Sequence, residues 1–63
     1  MEEKKTFAEA LKAAREEVGM TQHQMSMEGS IPELLIEEWE AGKSIPTEHV
    51  QRILLDWLEI KKH

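Results

Sequence analysis

The chain has no cysteine and no tyrosine, and only two prolines and three glycines among its 63 residues. Without cysteine there is no disulfide staple, no thiolate zinc site and no thiol nucleophile. So few glycines and prolines argue against disorder and against a loop-rich sandwich. Long apolar runs are missing as well. No stretch approaches a membrane span, and MEEKKTF lacks the apolar core of a signal peptide, so a cytoplasmic protein without membrane contact is expected. Positive charge is also scarce. Eight Lys and Arg against thirteen Asp and Glu give a formal net charge of -5. The molecule as a whole therefore repels nucleic acid, and any contact with it must rest on locally placed cations.

What remains is a globular balance, 40% apolar and 33% charged, in a chain with room for one domain (residues 1–63) and one small core. The periodicity is helical throughout, and an all-α fold is expected. Thr6 with Glu9 forms a capping-box pattern, and Phe7, Ala10, Leu11, Ala14 and Val18 follow at spacings of three and four, with Gly19 as a stop signal. Thr21 caps a short second helix over about Gln22 to Glu28, with Met25 facing inward and Met20 and Met27 sealing the corner before it. Ser30 with Glu33 reads as another capping box. It opens a third helix over about Ile31 to Glu40, whose stripe of Ile31, Leu35 or Ile36, and Trp39 ends before Gly42. Thr47 caps a last helix in which Val50, Ile53, Leu54 and Trp57 make one apolar face, leaving Leu55, Leu58 and Ile60 for another. Four helices in so short a chain do not easily hide a second apolar face. A homodimer through Leu55, Leu58 and Ile60 is expected, against tight packing of the last helix on the first.

Catalytic and metal chemistry find little support. His23, His49 and His63 fall on separate elements with no HExxH spacing, so no metal or other cofactor is expected. No Ser-His-Asp order or glycine-rich phosphate loop is present, and no enzyme is expected.

The order of elements can be joined to particular residues: Leu11, Arg15, Thr21-Gln22, Met25-Ser26, Ile36, Trp39-Glu40, Gly42-Lys43 and Pro46. Over about residues 6 to 58 this pattern resembles the Cro/repressor type helix-turn-helix family, also called the Xre family, with the motif at about residues 21 to 40. The resemblance implies a compact domain of four helices (five in many relatives) of the lambda-repressor-like type. It also implies an ion pair between Arg15 and Glu40, and phosphate contacts from Gln22, Lys43 and the amides around Gly42. By the same match, Glu33, Leu34 and Glu38 face the bases, where relatives usually carry glutamine, arginine, serine or asparagine.

Two functions follow. One is a small transcriptional regulator, of the size seen in phage or mobile-element switches, that binds double-stranded operator DNA as a dimer. The other is the same scaffold used as a protein-interaction module, an antirepressor or partner subunit, through its acidic third helix. Glu33 and Glu40 have structural roles under either reading, so the acidity that a DNA-binding account must explain narrows to Glu37 and Glu38 beside Leu34.

Overall fold

The hydroxyl of Thr6 accepts from the Glu9 amide while the Glu9 carboxylate accepts from the Thr6 amide, and this reciprocal cap starts α1, Phe7–Val18. The computed structural model describes residues 6–62. Glu2, Glu3, Lys4, Lys5 and His63 lie outside the described residues. Thr21 and Gln24 repeat the reciprocal cap at α2, Gln22–Gly29, which is followed by α3, Glu33–Glu40, and α4, Glu48–Lys62. At α4 the Thr47 hydroxyl accepts from the Val50 amide at 3.3 Å. Among the described residues every regular element is a helix, so the fold is a compact all-α domain.

The first three helices end in the same way. A residue in the left-handed region follows the last turn, and the next amides turn back onto carbonyls that the helix leaves unsatisfied. At Gly19 (φ 86°) the amides of Gly19 and Met20 donate to Glu16 and Arg15. At Gly42 (φ 76°) the amides of Gly42 and Lys43 donate to Trp39 and Glu38. At Ser30 (φ 54°) the amides of Ser30 and Ile31 both reach the Ser26 carbonyl.

This third ending corrects the expected start of α3. Ser30 closes α2 in a left-handed conformation and so does not cap α3 in an extended one. Pro32 takes the N-cap position (φ -57°, ψ 129°) without a side-chain cap, and α3 begins at Glu33, two residues later than expected. The turn between α2 and α3 is therefore Ser30, Ile31 and Pro32.

Leu11, Met20, Met25, Ile36, Trp39, Leu54 and Leu58 form the core, with Phe7, Ala14, Val18, Ile31, Val50 and Trp57 packed around it. Met27 is exposed and seals nothing. In α4 the inward face differs from the expected one. Leu58 is 0% exposed, whereas Ile53 is 51% exposed. Leu54 and Leu58 lie on the side of α4 that packs on α1. Gln51 shares that side, at spacings of three and seven, and its side-chain nitrogen donates to the Pro46 carbonyl at 2.9 Å. Leu58 is therefore a core residue and not a dimer contact. Leu55 is half-buried, and Ile60 at 72% remains open, on the same face as Ile53.

A left-handed serine costs about 1–2 kcal/mol relative to a right-handed one, and glycine removes that cost while adding unfolded-state entropy. Ser30→Gly is expected to stabilise the domain by about 0.5–1 kcal/mol, read as a higher urea midpoint at unchanged slope. A lower midpoint would mean that the serine side chain holds the turn.

Candidate nucleic-acid interface

Arg15 is only 8% exposed, the one buried charged residue among those described. Its Nε and Nη2 donate to the two carboxylate oxygens of Glu40 at 2.7 and 3.0 Å, and Nη1 donates to the Met20 carbonyl at 2.8 Å. This forked geometry suits a planar guanidinium against a carboxylate. The hydrogen bonds to Glu40, with the attraction of its charge, raise the pKa of Arg15 above its ordinary value against the opposing effect of burial. Gln22 completes the group, its Nε2 donating to Glu40 Oε1 at 3.0 Å. One carboxylate at the end of α3 thus receives donors from α1 and from the first turn of α2.

That network changes what two of the expected phosphate ligands have to offer. The side-chain nitrogen of Gln22 is committed to Glu40. Its backbone amide is still one of the first-turn donors with no intrahelical carbonyl. The amides at Gly42 and Lys43 close α3 through their bonds to Trp39 and Glu38, so they are not phosphate donors. Lys43 itself is exposed and carries its ammonium beside the C-terminal end of α3.

On the outside of α3, Leu34, Glu37, Glu38 and Ala41 recur at spacings of three, four and seven. With Lys43 they line an open groove of about 220 Å³. Leu34 is 62% exposed. Glu37 and Glu38 form no hydrogen bond or ion pair with any described residue. Glu33, expected on this face, instead approaches Nδ1 of His23 across the turn at 3.2 Å. The His23 contact and the Gln22 contact with Glu40 went unseen in the sequence. The Leu34, Glu37, Glu38, Ala41 spacing was readable there, and it replaces Glu33 with Glu37 in the outer stripe.

Comparison with family models, with curated proteins and with solved structures finds no match to this chain.

Removing one partner of a buried ion pair leaves an uncompensated charge, at a cost of about 3–5 kcal/mol. A 63-residue domain is stabilised by only about 3–9 kcal/mol in total. Glu40→Ala is therefore expected to abolish most of the helical circular dichroism at 37 °C. Glu37→Ala, on the open face, should stay within about 0.5 kcal/mol of the parent. Equal melting temperatures for the two variants would show that the Arg15 contact holds nothing together.

Proposed function

We propose that the chain is a small sequence-specific DNA-binding transcriptional regulator that acts as a dimer on operator DNA. The observation that carries this reading is the unit formed by α2 and α3. Two helices of eight residues each are joined through a three-residue turn, and the outer stripe of α3 is left open. In a helix-turn-helix the second helix enters the major groove and presents its N-terminal half to base edges. The resemblance of the residue pattern to the Cro/repressor family supports the same assignment. In this arrangement the free amides at the start of α2 and the Lys43 ammonium meet the phosphate backbone on either side of the groove.

The second protomer is assigned to the open face of α4. With Leu58 in the core, the apolar residues free to meet a second copy on one face are Ile53 and Ile60, seven apart. A two-fold pair of this kind matches the palindromic operators such proteins use.

A second reading, a protein-interaction module, is favoured by the charge of the same face. Among the described residues Glu37 and Glu38 have no partner beside the exposed Leu34, and Lys43 is the one cation lining that groove. Carboxylates near phosphates cost free energy unless each finds a donor.

The two readings separate in a binding titration against salt. An operator-binding protein loses affinity linearly in log salt, with a slope near -0.9 per neutralised phosphate. Lys43→Ala should weaken binding to every sequence and reduce the magnitude of the slope by about one unit. Failure of any duplex to shift at low salt would reject the regulator and leave the interaction module standing. The protomer contact has its own measurement: Ile53→Glu with Ile60→Glu should yield a monomer in sedimentation equilibrium, whereas an unchanged mass places the contact elsewhere.

A further inference from the structure

We propose that α4 acts as a clasp on the turn between α2 and α3, with the Trp57 ring closing over Gly29 and holding the left-handed Ser30 conformation in place. The clasp is a property of the free chain, whatever α3 meets. Met25 is the one buried side chain of α2, so the direction of this short helix depends on how its two ends are held. Its start is tied through Gln22 to Glu40. Its end carries Gly29, whose backbone is outside the left-handed region. A glycine in a helix gives up stability relative to alanine, and no dihedral requirement explains it here. Space does. A β-carbon on Gly29 would stand 2.9 Å from Cδ1 of Ile31 and 3.2 Å from Cη2 of Trp57, so the end of α2, the turn and α4 meet with no room for a methyl.

A second tie runs beside the ring. The Lys61 ammonium lies 5.5 Å from the Trp57 centroid and pairs with Glu28 in the last turn of α2 at 2.7 Å. That pair is partly exposed and contributes little by itself, so the ring is the main contact. The next residue in the chain is Ser30, at φ 54° the one non-glycine residue with positive φ among those described. A serine held there is strained, and such a conformation persists only where its surroundings determine it. The amides of Ser30 and Ile31 both donate to the Ser26 carbonyl, and the Ile31 side chain lies with Trp57 against Gly29. Withdrawal of the ring therefore uncovers Gly29 and Ile31 together and loosens the turn at its strained residue. Trp57 stands between Leu54 and Leu58, the core residues on the side of α4 that packs on α1. The seating of α4 on α1 and the closure of the turn are thus coupled through one side chain.

Amide hydrogen exchange in the full chain tests the clasp. In Trp57→Leu, exchange of the Ser30 and Ile31 amides should rise by up to about ten-fold, the effect of one aromatic contact, relative to the Gly42 and Lys43 amides that close α3 in a similar way. An equal rise at both helix endings would show that Trp57 contributes only to overall stability and would overturn the proposal. Gly29→Ala approaches the same contact from the other side, and it keeps α2 helical because alanine is the better helix former. Coupled sites respond reciprocally. The added methyl should therefore raise exchange of the α4 amides from Trp57 to Lys61 and leave those at Gly42 and Lys43 unchanged. Unchanged exchange in α4 would refute the clasp, even where Trp57→Leu fails to fold.

Discussion

The bidentate contact between Arg15 and Glu40 is the constraint on which the rest of the structure depends. A guanidinium buried in a domain of this size is tolerable only when its nitrogens are hydrogen-bonded. Here each of the three nitrogens donates to Glu40 or to the Met20 carbonyl, and no buried side-chain nitrogen or oxygen among the described residues is left without a partner. The contact also sets positions. It joins the last turn of α1 to the end of α3 across 25 residues of sequence, and through Gln22 it includes the start of α2. The apolar core under it is small, so this polar junction fixes the angle at which α3 is presented.

Charge is divided between two sides of the same short helix. Glu40 faces the protein and is neutralised there, whereas Glu37 and Glu38, three and two residues earlier, face outward with no ion pair to any described residue. The spacing alone produces this separation, because residues 36, 39 and 40 share the inward side and 34, 37, 38 and 41 the outward one. A helix so arranged is pinned by one carboxylate and given its surface character by the others. The acidity of the segment as a whole is thus a poor guide to what its outer face can meet.

The parts of the fold most legible in the sequence are those governed by local chemistry. Thr6 with Glu9, Thr21 before Gln22, Gly19, Gly42 and Thr47 each act within a few residues, and each marks a boundary that the structure keeps. Ser30 with Glu33 has the same spacing as a capping box, yet the end of α2 claims Ser30 first, and a local pattern does not reveal which helix takes a shared residue. In α4 the run from Ile53 to Ile60 contains five aliphatic residues and a tryptophan, so periodicity permits more than one inward face. The choice of Leu58 over Ile53 is made by packing on α1, which is not local. The Arg15 and Glu40 contact lies beyond any spacing rule and was legible only through the resemblance. The His23 contact with Glu33, across the turn, left no pattern to read.

The placement of the two tryptophans gives the molecule an internal optical record of its own assembly. Trp39 is buried in the core, whereas Trp57 is half-buried at a junction of α4 with α2. There its ring lies 3.2 Å from where a Cβ on Gly29 would stand, and the Lys61 ammonium, itself paired with Glu28 at 2.7 Å, sits 5.5 Å from the ring centroid. With no tyrosine in the chain, near-ultraviolet emission comes almost wholly from these two indoles. One reports the solvation of the centre and the other the docking of the last helix. Fraying of α4 and loss of the core therefore act on different indoles.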